Sequence, residues 1–251
     1  LLAMSAELEG RAPFKTLLGH ALVKDETGRD MHKSWGNAIW FDDAAEKMGV
    51  DVMRWMYAGQ NIENNLLFGY GPADEVRKKM ITFWNVYSFY ATYASVDGFD
   101  PKVIKLEKSS MTILDKWILA KTHLFIKEAQ SALDLYRVDG LMKSLDRFLE
   151  DLSNWYIRRN RRRFWKSEDD LDKNIAYGTL YQVLTLMIRT IAPILPFVTE
   201  KIYQNLVRNS VDAAPESVHL CDYPIADESW IDKDLINKVD TLKKLVEVGR
   251  S

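Results

Sequence analysis

The sequence has a single cysteine, Cys221, so no internal disulfide can form, and with four histidines and no cysteine pair nothing starts a zinc site. That usage fits a reducing, cytoplasmic setting. No segment approaches the unbroken apolar length of a bilayer-spanning helix, so a membrane is not an expected partner. Neither sign of charge dominates. Lys+Arg number 34 against 36 Asp+Glu, a formal net charge of -2, which excludes attraction to nucleic acid through overall positive charge. Any such binding has to be local. Internal repeats and low-complexity tracts are also missing. The chain opens at Leu1-Leu2-Ala3-Met4 with no initiator methionine, charged n-region or signal cleavage pattern, and so reads as a piece of a longer protein. Its 251 residues allow two domains, or one domain with an appendage.

What is present begins with an α/β pattern. A helical run from Leu1 to Leu8 is followed by a turn at Gly10 to Pro13, an apolar stretch from Thr16 to Val23 that reads as a strand, and a glycine-flanked loop. Asp51 is placed to cap a short helix through Tyr57. From Pro72 the apolar period becomes helical. Met80, Phe83, Trp84, Tyr87, Tyr90 and Ala94 share one face, and Leu114, Trp117, Ile118, Leu124, Phe125, Ala129 and Ala132 another. A third helix runs from about Val138 through Leu141, Leu145, Phe148, Leu152 and Trp155 straight into a cluster of arginines. Leu180 to Ile191 makes a fourth, which Pro193 and Pro196 end before a fifth run from Phe197 to about Arg208. Val218 to Leu220 reads as a short extended segment, and Asp232 to Val248 as a last helix. Trp84, Trp117 and Trp155 are expected in the core; Trp35 and Trp40 are expected to brace the loop.

Two stretches carry chemistry. Gly28-Arg29-Asp30-Met31-His32-Lys33-Ser34-Trp35-Gly36-Asn37 combines glycines, which let backbone N–H groups approach an anion, with one point charge and hydrogen-bond donors, the composition of a phosphate-handling loop. Taken alone, such a loop is more often a turn with one solvated lysine. Arg158, Arg159, Arg161, Arg162 and Arg163 follow a core helix, with Arg158, Arg162 and Trp165 on one side and Arg159 and Arg163 beside them. Guanidinium forks and an indole suit phosphates and unpaired bases. The competing reading is a solvated face matched by Glu168, Asp169, Asp170 and Asp172, with Arg158 and Arg159 held by buried carboxylates.

The loop resembles the lysine–methionine–serine–lysine–serine signature of class I aminoacyl-tRNA synthetases. Asp30, Met31, His32, Lys33 and Ser34 align with it, followed by Gly36-Asn37; the second lysine and last serine match, while the first lysine and first serine do not. Asn154 to Trp165 is similar to the tryptophan- and arginine-rich helix of the isoleucyl/valyl/leucyl/methionyl group, and Gly49 to Arg54, Ala192 to Phe197 and Ser217 to Leu220 are also similar to that group. Within it the isoleucyl branch is nearest and the valyl branch is the alternative; a non-catalytic tRNA-binding relative is the other, for which Asp30 is the clue.

The resemblance implies a mainly α fold: an antiparallel helical bundle, the anticodon-binding domain, preceded by a short α/β remnant of a Rossmann-type catalytic domain. Residues 1 to 40 would be the end of that domain, 41 to 75 a connecting stem-contact fold, 76 to 210 the bundle, and 211 to 251 the start of a C-terminal extension. It implies an aminoacyl-tRNA ligase too long for these 251 residues, with ATP as substrate together with magnesium, and isoleucine and its tRNA as partners. Zinc is not indicated, and a monomer is expected. Lys33 and Ser34 take the catalytic role; Met31, His32, Lys33, Ser34, Gly36 and Asn37 handle ATP, with Met31 anchoring the loop and His32 donating to phosphate rather than acting as acid or base. Asp30 removes one phosphate contact. Arg158, Arg159, Arg161, Arg162, Arg163 and Trp165 would meet tRNA.

Overall fold

A computed structural model of the protein describes residues 1–102, 105–165, 170–211 and 213–249. Helix α1 (Leu2–Glu9) covers the first helical run, and Gly10 ends it in the left-handed conformation at φ 62°. Its apolar residues Leu2, Met4 and Leu8 stay exposed. The strand expected over Thr16 to Val23 forms only at its far end. β1 (Val23–Asp25) pairs in parallel with β2 (Leu66–Phe68), Val23 opposite Leu66 and Asp25 opposite Phe68. A strand extends only as far as a partner backbone satisfies it. Before β1 that partner is reduced to isolated bonds, Ala21 N–H to the Ile62 carbonyl at 2.8 Å and Leu22 N–H to Asn65 Oδ1 at 3.0 Å.

Between the strands lie α2 (Phe41–Met48) and α3 (Val50–Ala58). Their apolar faces close a small core of Ala44, Met48, Val52, Met53 and Met56 with Phe68 and Ala73. Glu26, directly after β1, accepts from Gly71 N–H at 3.1 Å and so satisfies the start of α4 (Tyr70–Val96). The side chain comes so near that a Cβ on Gly69 would lie 2.5 Å from Glu26 Oε2 and 2.8 Å from Glu26 Cβ, so a larger residue there would have to displace Glu26.

Asp51 does not cap its own helix. Gly49 occupies that position in α3, and Asp51 instead accepts from Val198 N–H at 2.6 Å, with a weak 3.5 Å contact to Phe197 N–H, at the start of α9 (Pro196–Tyr203). One turn later Arg54 donates to the carbonyls of Ile194 at 2.6 Å and Pro193 at 3.0 Å. These bonds tie the small core to the bundle across more than half of the sequence. Burial pushes the Asp51 carboxyl above its ordinary pKa despite the Val198 N–H.

The bundle comprises α4, α5 (Ile113–Asp134), α6 (Val138–Glu150), α7 (Arg158–Trp165), α8 (Asp170–Ile191), α9 and α10 (Lys233–Val248). A reciprocal capping box starts α5: Thr112 Oγ1 accepts from Asp115 N–H at 3.2 Å, and Asp115 Oδ2 accepts from Thr112 N–H at 3.0 Å. Tyr136, at φ 56°, turns the short connection by which α6 folds back on α5. The predicted stripes meet in one core that includes Phe83, Tyr87, Tyr90, Trp117, Ile118, Leu141, Leu145, Phe148, Leu184 and Met187. Trp84 departs from expectation. It is 38% exposed and only leans edge-on against Tyr87, because the position after buried Phe83 is rotated about 100° around the helix. Pro196 opens α9, where its missing N–H costs nothing. Val218–Leu220 is a helical turn rather than an extended segment, since Ser217 Oγ accepts from His219 N–H at 3.2 Å and closes it. Asp232 caps α10 by accepting from Leu235 N–H at 2.9 Å.

Candidate ATP loop and nucleic-acid interface

The signature loop springs from the end of β1. Gly28 and Gly36 bracket it at φ 85° and 69°, left-handed positions that side chains avoid. Lys24 and Asp30 form an isolated antiparallel bridge, and Lys24 Nζ pairs with Asp30 Oδ1 at 3.0 Å, which occupies the acidic group that replaces the family's lysine. Lys33–Trp35 is a single tight turn. Lys33, Ser34 and His32 are exposed on it. The Lys33 ammonium rests 4.3 Å from the centre of the Trp40 ring, and His32 lies edge-on to Trp35 at 4.3 Å. The two tryptophans do flank the loop, both well exposed. Met31 packs on the small core and anchors the loop from beneath.

Asn37 faces inward. Its Nδ2 donates to Asp25 Oδ2 at 2.8 Å and to the Asp30 carbonyl at 2.9 Å, while its Oδ1 accepts from His32 N–H at 3.0 Å. Both ends of the amide are thus engaged within the loop. Asp25, which sequence reading passed over, receives Thr27 and Arg29 as well as Asn37. Its signal was available only as Asp25-x-Thr27, a common turn pattern. The Thr27 hydroxyl, then the Asn37 amide, hold its carboxyl far below the usual carboxylate range. The arrangement offers an anion one exposed cation and a hydroxyl on a hydrogen-bonded frame.

The arginine helix divides by direction. From α6 the chain continues without a break through a widened turn, Asp151–Ile157, into α7. The buried series Phe148, Leu152, Tyr156, Asn160 and Phe164 advances by four. An ordinary helix would rotate such a series by about 40° per step, and the widened turn takes up part of that drift. Arg163 consequently points inward, at 14% side-chain exposure, and does not join the exposed stripe. Its Nη1 donates to Asp115 Oδ1 at 2.9 Å and its Nη2 to Asp115 Oδ2 at 3.0 Å, while Nη2 also reaches Asp172 Oδ1 at 2.7 Å. Asp115 is fully buried and also accepts from the Tyr156 hydroxyl at 2.8 Å. Burial works against the guanidinium's charge, but the hydrogen bonds it donates to Asp172 and Asp115 outweigh it and raise its pKa.

Arg163, expected to face tRNA with the rest of the cluster, is therefore the carboxylate-bound arginine, the part that the competing reading gave to Arg158 and Arg159. Arg158, Arg159, Arg161 and Arg162 are exposed. Arg159 lies over the half-buried Trp155 ring at 4.9 Å, and Trp165, 46% exposed, leans on Tyr93. Arg158 and Arg159 border a cleft of about 430 Å³ with Asn154, Trp155, Val246 and Glu247. Lys243 of α10 and Lys121 both pair with buried Asp151, which fixes α10 along this cleft. Of the acidic residues expected to neutralise the cluster, Asp172 is taken by Arg163, and Glu168 and Asp169 lie outside the described residues.

Among the described residues no group of three His, Cys, Asp or Glu side chains could hold a metal ion, and no helix is long and apolar enough to cross a membrane. Residues 115–251 match the family described as the anticodon-binding domain of tRNA ligase, and residues 1–67 that of the class I tRNA synthetases (I, L, M and V). Isoleucine–tRNA ligase of Methanocella arvoryzae is 39% identical over 244 residues, 96% of this chain and 22% of that protein. The enzyme of Clostridium tetani is 41% identical over 255 residues, covering 100% of this chain and 24% of its own, and that of Thermus thermophilus 40% over 247 residues, covering 97% and 24%. The chain thus spans less than a quarter of the length of these relatives. The crystal structure of the ternary complex of Agrobacterium radiobacter K84 LeuRS, tRNA and LeuAMS shares the fold, with a TM-score of 0.69 at 14% identity over 92% of this chain and 27% of that one.

Proposed function

The chain belongs to the anticodon-binding-domain family of tRNA ligases, within the class I isoleucine, leucine, methionine and valine group, and from that premise we propose that it serves an isoleucine–tRNA ligase in two places. Residues 1 to 40 supply the loop that handles ATP, residues 41 to 75 connect it to the rest, and residues 76 to 210 supply a bundle that holds the anticodon arm, with 211 to 251 beginning a further extension. The names of the curated relatives favour isoleucine over valine.

In the proposed reaction the isoleucine carboxylate attacks the α-phosphorus of ATP, the bond to the leaving pyrophosphate breaks, and negative charge gathers on that group. ATP carries magnesium into the site as part of the substrate. Lys33 stabilises the departing charge and Ser34 donates a hydrogen bond, while His32 assists as a donor only, since no proton need move at this point. Lys24 already neutralises Asp30, so the acidic substitution does not set a bare charge against phosphate, which disfavours the non-catalytic reading. Arg158, Arg159, Arg161 and Arg162, with Trp165, are the tRNA-facing groups. The reading places the work of a monomeric, cytoplasmic enzyme in this segment.

The observation that carries the proposal is Lys33, exposed at the tip of a loop whose base is tied down. In the full-length enzyme Lys33→Ala should lower isoleucine-dependent pyrophosphate exchange by about two orders of magnitude, with little change in isoleucine binding. A rate close to wild type would remove the assignment.

A further inference from the structure

Asp25 is only 7% exposed, yet its two oxygens meet five donors. Oδ1 accepts from Thr27 N–H at 3.0 Å, Thr27 Oγ1 at 2.7 Å and Arg29 N–H at 2.9 Å; Oδ2 accepts from Asn37 Nδ2 at 2.8 Å and Arg29 Nε at 3.3 Å. Thr27 and Arg29 stand at the leading end of the signature loop and Asn37 at its trailing end. One carboxylate therefore closes the loop into a ring, reinforced by Asn37 bonding to the Asp30 carbonyl and to His32 N–H. The Lys33–Trp35 turn stands out from that ring. The Lys33 ammonium makes no hydrogen bond among the described residues and rests on Trp40, a contact that an arriving polyphosphate can displace. Ordering a free loop costs backbone entropy for each residue fixed, and the ring removes that cost from every turnover.

We propose that Asp25 is a positioning residue for adenylate formation, holding both ends of the signature loop so that Lys33 reaches the pyrophosphate from a preset frame. The proposal rests on the reading of the loop given under the preceding heading. Asp25 touches no substrate and acts through Lys33. Its low pKa keeps it anionic throughout the neutral range, so the frame does not loosen with pH there.

The test is a double-mutant cycle in the full-length enzyme, measuring isoleucine-dependent pyrophosphate exchange for wild type, Asp25→Asn, Lys33→Ala and the double variant. Asp25→Asn keeps the shape but turns one oxygen into a donor facing other donors. It should lower kcat on the order of tenfold to a hundredfold, with the KM for isoleucine nearly unchanged. In the Lys33→Ala background the same change should cost less than about twofold, since the group it positions is gone. Exchanging the pair, Asp25→Asn with Asn37→Asp, restores an amide–carboxylate contact and should recover several-fold of the lost rate. Full additivity of Asp25→Asn and Lys33→Ala would overturn the proposal, because Asp25 would then act on the fold at large. Wild-type exchange by Lys33→Ala alone would instead strike the reading of the loop itself. If Asp25→Asn fails to fold, Thr27→Val removes one hydroxyl donor without changing charge and should show the same non-additivity at smaller size; an additive loss there would also refute the role.

Discussion

Replacing Arg163 and Arg162 singly separates scaffold from interface within one turn of helix. Arg163→Ala would leave Asp115, with no exposed surface, holding its charge against only the Tyr156 hydroxyl and the Thr112 capping bonds. Removing one partner of a buried pair typically costs about 3 to 5 kcal/mol. Asp172, with 32% side-chain exposure, can rehydrate and adds little. For a chain of 251 residues that loss lowers Tm by roughly 6 to 20 °C. Arg162 is exposed with no carboxylate against it among the described residues, so Arg162→Ala should change stability by no more than about 0.5 kcal/mol. Affinity for tRNA should behave in reverse. Losing one phosphate contact reduces the slope of log K against log salt by up to about 0.9, and this reduction is expected for Arg162→Ala but not for Arg163→Ala. Thermal unfolding and a salt titration of tRNA binding on each protein supply both readings. An Arg163→Ala protein that melts with wild type, or whose salt slope falls by a full contact while it remains folded, would refute the division.

Asp51→Ala should remove the cap on α9 at a cost of about 1 kcal/mol and speed amide exchange at Val198; unchanged exchange would show that the cap lies elsewhere. His123 is buried, and its Nδ1 accepts from Asp227 N–H at 3.1 Å; burial lowers its pKa from the ordinary 6.5, opposed by the Asp227 carboxylate and aided by Lys108. The unfolded chain therefore binds more protons just below pH 6.5, so the His123 contribution to stability is complete above that pH and is lost as pH falls through the folded-state pKa. Denaturant unfolding of His123→Gln should show a shallower pH dependence than wild type below about 6.5, and equal slopes would contradict this. Lys243→Ala leaves Asp151 with Lys121 alone, so limited proteolysis should cut α10 sooner, while an unchanged digestion pattern would mean that apolar packing holds that helix unaided.

Features with local causes were legible before any tertiary contact was known. The glycines of the signature loop mark a turn, the apolar period marks the helices of the bundle, Pro193 and Pro196 mark the break between two of them, and the last helix follows from Asp232. Each follows from interactions within a few residues, and composition alone required any nucleic-acid contact to be local. Partner choice over long separations was settled only by the fold. Arg163 binds Asp115 across 48 residues, and Asp51 caps a helix 147 residues away instead of its own. A widened turn, which leaves no mark in sequence spacing, carries the buried face from Tyr156 to Phe164 and turns Arg163 inward while its neighbours face solvent. Asp25 is the sharpest case. Its residue type permits a turn, a cap or a solvated charge, and only the meeting of both loop ends at one buried carboxylate selects among them, because hydrogen-bond geometry is a property of positions in space rather than of order along the chain.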